Sequence, residues 1–326
     1  MKIVKKALAA AAFGFASMLA AVPGHGAEYP SKAVTIYVGF AAGGPTDVVA
    51  RLLAEGLTKK LGQPFIVENR PGASGELAAN LLKKAAPDGY TLMVGANGTL
   101  SILPAVKKGL GYKPLTDFTP IAPVARFPYY LVTSKDSTLA SYQDLIQQGR
   151  KPGKGMSFGS AGPGSANHLA GEWFSKKAGI NATHIAYKGD AAVLSDLIAN
   201  RIDFAFLAGS LVIPQAQSKN LRILGSSASS PEIGRQGIAV VGKEFLPGFS
   251  AEPWNGLLGP AGLPKDIVSK LNSAANEIMG STSVGVRLKE MDQYPFLGSP
   301  GTFADHIRTQ TERTADIVRT SHLTIE

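Results

Sequence analysis

The chain contains no cysteine. This excludes a disulfide framework, a thiol nucleophile, a thiolate metal site and a lipid-attachment cysteine. Its histidines, His25, His168, His184, His306 and His322, are widely separated and show no His-Glu-x-x-His or comparable metal spacing. No Gly-x-Gly-x-x-Gly follows the first strand pattern and no Walker-type Gly-Lys-Ser/Thr occurs, so nucleotide chemistry lacks its cradle. Neither Ser160 nor Ser165 sits in a Gly-x-Ser-x-Gly elbow, and no activated nucleophile is in view. Lysines and arginines are scattered, without the compact basic run and interleaved aromatics of a nucleic-acid reader. Beyond the N-terminal segment no apolar run approaches the length of a bilayer span.

What is present describes a globular chain of 326 residues, 44% hydrophobic and 17% charged, long enough for two domains. Lys2, Lys5 and Lys6 precede an apolar stretch from Ala7 to Val22 and small residues up to Ala27, the pattern of a secretory signal peptide over residues 1–27. Those three lysines account for part of the formal net charge of +9; the rest is mild surface basicity that can help collect anions. The expected location is the periplasm.

The organising stretch is Phe40-Ala41-Ala42-Gly43-Gly44-Pro45-Thr46-Asp47, between the apolar run Val34 to Val38 and an amphipathic run beginning at Val48. It reads as a strand, a glycine turn and the first turn of a helix. Gly43 and Gly44 permit positive φ and close approach of a ligand. Pro45 suits a helix start, and Thr46 and Asp47 place a hydroxyl and a carboxylate where one can cap and the other oppose the dipole. Free N–H groups then face whatever lies before the turn, a place for an anion, although an ordinary βα connection uses the same parts.

Strand and helix patterns alternate onward: strands at 65–69, 91–94, 129–133, 201–206 and 221–225, with helices at 76–84, within 138–149, and at 265–278 and 302–320. Repeated βα units predict largely parallel sheets, whose ligands lie beyond the carboxyl ends of the strands. Met156 to His168 repeats the construction of the first loop, with Ser165 as N-cap, and Asp190 in Tyr187-Lys188-Gly189-Asp190 can cap a third helix. Proline-rich crossings near 114–128 and 249–264 divide the chain into lobe 1 (28–125 and 250–326) and lobe 2 (126–249). Two lobes offering helix N-termini to one cleft make a clamp, opening and closing at the crossings.

An ordered set of motifs also resembles a known family. Gly43-Gly44-x-x-Asp47-x-x-Ala50-Arg51, Glu68-Asn69-Arg70-Pro71-Gly72-Ala73-x-Gly75 and Pro87-Asp88-Gly89-Tyr90-Thr91 come first. Asp117 to Ala122, Gly159-Ser160-Ala161-Gly162-x-Gly164-Ser165-x-x-His168-Leu169, His184-Ile185-x-Tyr187-Lys188-Gly189 and Trp254 to Gly262 follow. Together they resemble the Bug solute-binding proteins of tripartite tricarboxylate transporters, across essentially the whole mature chain. The resemblance implies an α/β fold, a two-lobed type II periplasmic binding protein with mostly parallel sheets flanked by helices. It implies no enzyme activity, no cofactor and no metal, but a monomer that closes over a small carboxylate and delivers it to an inner-membrane permease. Carried over by position, the ligand contacts fall on Phe40, Ala41, Ala42, Gly43, Gly44, Thr46 and Asp47 in lobe 1, with Asn97 and Thr99 lining the cleft. Lobe 2 contributes Ser160, Ala161, Gly162, Ser165 and His168, with Tyr187 and Asp190.

The chain departs from the family pattern at Ala42, where proline is usual, and at Asp190, where a small neutral residue is usual. An aspartate expected after the strand at Phe204 is replaced by Leu207-Ala208-Gly209-Ser210. An acid facing the cleft repels a second carboxylate or pairs with an ammonium, so the expected ligand has one carboxylate and an amino or other donor group. His168 is either an anion donor or a packing residue, and Asp47 either a cap or a contact. The alternatives to delivery to a permease are a receptor that reports its ligand to a sensor and a secreted hydrolase.

Overall fold

A computed structural model describes residues 29–153, 155–229 and 233–323. The signal-peptide expectation for residues 1–27 lies outside them.

Strand β1 (Val34–Val38) runs into helix α1 (Pro45–Leu61), followed by β2 (Phe65–Asn69), α2 (Glu76–Lys83), β3 (Thr91–Ala96) and β4 (Phe118–Arg126). Helix α1 begins with Pro45 in its first turn, buries Val49, Leu52, Leu53 and Leu57, and ends at Gly62 (φ 74°), whose amide donates to Thr58 O. The chain then builds β5 (Tyr129–Ser134), α3 (Tyr142–Gly149), β6 (Met156–Ser160), α4 (Ala166–Ala178), β7 (Ala182–Ala186) and α5 (Asp190–Ile198). Next come β8 (Phe204–Ala208), α6 (Gly209–Gln217) and β9 (Leu221–Ser226). It returns through β10 (Trp254–Pro260), α7 (Lys265–Gly280), α8 (Thr282–Glu290), β11 (Tyr294–Pro295) and α9 (Pro300–Thr320).

The strands form two sheets, β11-β4-β10-β3-β1-β2 and β7-β6-β8-β5-β9, which are the centres of two lobes. Each lobe has its own core. Val34, Ile36, Leu53, Leu57 and Leu271 are buried in lobe 1, and Phe158, Phe174, Phe204 and Phe206 in lobe 2. Full burial of such a side chain contributes about 1.5–3 kcal/mol.

The α/β two-lobed architecture expected from the sequence is present, but the sheets are mixed rather than mostly parallel. β2 and β3 lie parallel to β1, whereas β10 is antiparallel to β3 and β4; in lobe 2, β6 is parallel to β7 and β8 but β5 is antiparallel to β8 and β9. The reversed strands are those that carry the chain between lobes and therefore enter each sheet from its partner's side. Much of the two proline-rich stretches is core strand. Pro120 and Pro123 fit into β4 because β11 pairs only with Ala125 and Arg126, leaving the earlier part of β4 as an edge.

The backbone passes between lobes at Phe127–Pro128 and again just before Trp254, and the two passages are joined where the Phe127 amide donates to Pro253 O at 3.0 Å. Ser227 ties them further, donating its hydroxyl to Ala251 O and accepting from the Tyr129 amide at 2.9 Å. At the opposite rim the cleft is closed: the Ser74 hydroxyl of lobe 1 donates to Pro163 O of lobe 2. Behind the hinge, the Tyr130 hydroxyl of lobe 2 donates to the buried carboxylate of Asp292 in lobe 1.

Candidate functional site

Three helix starts converge where the lobes meet. Helices α1, α4 and α5 begin after Gly44, Ser165 and Gly189, and these residues line one cavity of about 40 Å³, room for a few waters or a carboxylate head group. Helix starts present unpaired N–H groups and the positive end of the dipole. Two glycines, one from each lobe, sit close to the opposite lobe at this point. A Cβ on Gly98 would lie 3.3 Å from Gly164 O, and one on Gly189 would lie 3.5 Å from the Ala41 side chain.

Lobe 1 leaves its loop amides available. Gly43 has φ 81°, whereas Gly44 is extended at φ −77°, so only Gly43 uses the positive φ expected of both. Neither Thr46 nor Asp47 acts as the N-cap of α1: Gly44 holds that position without a side-chain bond. Instead the Asp47 carboxylate reaches back to the Gly43 amide (2.9 Å) and accepts from Arg51 Nε (3.0 Å) and Asn69 Nδ2 (2.8 Å). Burial alone would raise the Asp47 pKa, but these hydrogen bonds outweigh it and hold the group below the ordinary carboxylate range. The amides of Gly44, Thr46 and Asp47 find no acceptor among the described residues.

The Thr46 hydroxyl donates to Asn255 Oδ1 at 3.0 Å. Asn255 belongs to β10, is fully buried (0% exposed) and lines the cavity. Its Nδ2 has no hydrogen-bond partner among the described residues. A buried donor left unpaired costs about 1–3 kcal/mol, so an acceptor placed in the cavity gains from it.

Lobe 2 consumes its loop amides internally. Ser165 caps α4 by accepting from the His168 amide, as the sequence predicts. The amides of Ala161, Gly162 and Gly164 donate to Asn167 Oδ1, Ser160 Oγ and His168 Nδ1. Accepting at Nδ1 fixes the neutral His168 ring with its proton on Nε2. His168 also stacks on His184 with centroids 3.8 Å apart, and His184 Nε2 meets Ser160 Oγ at 2.6 Å. Burial, reinforced for His168 by the neighbouring His184, pushes their pKa values down to about 3 and about 4. His168 therefore braces the loop from behind rather than facing a ligand.

Asp190 is the first residue of α5 rather than its cap. Its carboxylate turns toward the cavity and accepts from Asn167 Nδ2 at 2.7 Å. Burial pushes its pKa up to about 6, against the opposing pull of that hydrogen bond. The buried hydroxyl of Tyr129 is raised well above its ordinary range by burial and by this same carboxylate.

Of the residues singled out by sequence, Phe40, Ala41, Ala42, Gly44, Thr46, Asn97, Ala161, Ser165 and Asp190 line the cavity. The others do not, and each is engaged elsewhere. Gly43 and Asp47 hold one another, and Thr99 donates to Ser74 O at 2.8 Å. Ser160 and Gly162 bond together, His168 is buried, and the Tyr187 hydroxyl donates to Asp196 at 2.9 Å. Asn167 and Gly189, within the stretches 159–168 and 187–190 that the resemblance points to, also line the cavity, whereas Tyr129 and Asn255 are residues that sequence reasoning missed. A lone asparagine in the apolar run Trp254 to Leu258 was the available signal for the last.

A family model described as tripartite tricarboxylate transporter family receptor matches residues 49–323. The chain belongs to this receptor family. Family members are solute-binding receptors rather than enzymes. BugT of Bordetella pertussis is 31% identical over 305 residues, covering 92% of each chain. Among solved structures, Rpa4515 of R. palustris with adipate superposes with a TM-score of 0.87 at 31% identity, covering 91% of this chain and 99% of that one. MatC from Rhodopseudomonas palustris with bound malate gives 0.81 at 29%, covering 89% and 100%. The tripartite tricarboxylate receptor fold thus extends over nearly the whole described chain, with the three helix starts at its centre.

Proposed function

We propose that this receptor works in the periplasm, closes as a monomer over a small carboxylate and delivers it to an inner-membrane permease of the tripartite tricarboxylate type. The observation that carries this reading is the fully buried, unpartnered Nδ2 of Asn255 beside three helix N-termini. The carboxylate contacts are the amides of Gly44 and Thr46 together with Asn255 Nδ2. Lobe 2 closes the site with Ala161, Ser165 and the Asn167–Asp190 pair. The adipate of Rpa4515 and the malate of MatC are carboxylates, which supports the same ligand class here. Asp190 narrows it to an acid carrying an amino or other donor group beside the bound carboxylate.

Binding and closure form one equilibrium, because an anion that touches both lobes favours the state in which both sets of contacts exist. A thermal-shift screen against mono-, di- and tricarboxylates, aromatic acids and amino acids tests the reading. A ligand of the native state raises the melting temperature by mass action, and mass spectrometry should recover it unchanged. A flat response to every acid, or recovery of a converted product, would sink the proposal.

A further inference from the structure

Behind the hinge a polar cluster joins the lobes, and none of its residues lines the cavity of the candidate site. Asp292, between α8 and β11 in lobe 1, is 1% exposed and adopts a left-handed backbone (φ 57°), uncommon outside glycine. Its carboxylate enters lobe 2, where it accepts from the Tyr130 hydroxyl of β5. It also lies against the start of α6: a Cβ on Gly209 would come within 2.4 Å of Asp292 Cβ and 2.7 Å of Oδ2. Tyr130 is fully buried (0% exposed), and its hydroxyl accepts from the Arg235 amide at 3.2 Å. Tyr294 of β11 clasps the same segment of lobe 2. Its hydroxyl accepts from the Gly234 amide at 2.7 Å and stands 2.9 Å from Gly234 O and 3.2 Å from Asp292 Oδ1, to one of which it donates at a time. The Arg235 guanidinium adds a bond to Glu290 O at 3.1 Å, and its Nε lies 4.0 Å from Asp292.

Such a cluster is made or broken as a unit. While it is made, a buried carboxylate, two tyrosine hydroxyls and two backbone amides satisfy one another, and the cost of stranding any one of them opposes a partial break. It borders an open groove of about 900 Å³, lined in part by Arg235, Lys289 and Tyr294, through which water can reach the same groups once the lobes part. Gln293 Oε1 and Arg235 Nε at its margin already lack partners among the described residues. The chain passes between lobes at Phe127–Pro128 and just before Trp254, so a rotation there that separates Ser74 from Pro163 also displaces Gly234 from Tyr294 and Tyr130 from Asp292. The rim contact and the cluster coexist in the closed arrangement.

We infer that Asp292, Tyr130 and Tyr294 form a latch that favours the closed form, so that residues remote from the ligand set how far the lobes stand open before it arrives. The latch depends on the closing motion proposed above and not on the identity of the ligand.

Distances between nitroxide labels on Lys84→Cys and Lys176→Cys, exposed positions of lobes 1 and 2 in a chain without native cysteine, test this in the ligand-free protein. The distribution should contain a closed population. Tyr130→Phe removes the donor to Asp292, whereas Gly209→Ala pushes Asp292 out of lobe 2 without deleting any polar group. Each should lower the ratio of closed to open molecules about tenfold, the worth of one hydrogen bond to a charged group. The double variant should add little, because both changes break the same unit. A fully open native protein, distributions unchanged in both variants, or a shift toward the closed form would overturn the latch. The carboxylate reading would stand in each case, since the thermal-shift screen judges it separately. Lower melting temperatures with unshifted populations would also overturn the latch, assigning the cluster to hinge structure alone.

Discussion

The loops before α1 and α4 are built from the same parts, glycines, small polar residues and a helix start, yet they spend their hydrogen bonds oppositely. In lobe 1 the Asp47 carboxylate braces the loop from behind through the Gly43 amide, so the amides of Gly44 and Thr46 stay available. In lobe 2 the amides of Ala161, Gly162 and Gly164 are already taken by Asn167, Ser160 and His168. The difference teaches that similar loops can divide the labour: in the proposed reading lobe 1 grips the anion, and lobe 2 is a stiff lid that completes the enclosure.

Blocking the lid should have the largest effect. Gly98→Val adds branched carbon beyond a Cβ that would itself lie 3.3 Å from Gly164 O, a tight contact, so the closed arrangement is disfavoured. Apparent affinity falls with the closed fraction, by about a hundredfold or more, while each lobe keeps its core. Calorimetry beside a melting curve checks this; unchanged affinity would place the grip elsewhere than in the closed cleft.

Removing a donor from the grip comes next. Asn255→Ala should weaken carboxylates by about tenfold, the worth of one hydrogen bond to a charged acceptor. Ser165→Ala, which removes a cap in the lid, should instead cost about 1 kcal/mol of stability and weaken binding less than Asn255→Ala does. If the two variants exchanged effects, the division between grip and lid would be reversed.

Asp190 sharpens the comparison through pH. With a pKa of about 6 the group is ionised above that value and neutral below it, so acids without an amino group should bind more tightly as pH falls through about 6. Asp190→Asn should abolish this dependence and weaken amino-bearing acids relative to plain ones. Equal affinity of the native protein for a dicarboxylate and its amino-substituted analogue would refute the role given to Asp190.

The smallest expected effect is on acid stability. His168 and His184 have folded-state pKa values of about 3 and about 4, below the ordinary 6.5, so the unfolded chain takes up protons first. Stability from this pair is intact above about 6.5 and declines as pH falls toward 4. Asp190 acts in the opposite sense: its raised pKa adds stability as pH falls through about 6. Melting temperatures of His184→Gln and the native chain between pH 7 and 4 separate the two. A variant as acid-sensitive as the native chain would show that the stacked pair is not the source.

The sequence determined the devices that act within a few residues. Pro45 at the start of α1 and Ser165 capping α4 follow from local backbone geometry, and both were legible. The helix faces and strand runs that define two α/β lobes were legible for the same reason, since periodicity needs no partner to be read. Only the tertiary structure decided which amides remain free. Gly164 could not be known to spend its N–H on His168, nor His168 to be braced by His184 from the neighbouring strand β7. Asn255 reaches the cavity because β10 is inserted antiparallel between β3 and β4, a pairing set by strands more than a hundred residues earlier in the chain. A binding site is what remains after every other hydrogen bond has been made, and that remainder depends on contacts distant in sequence.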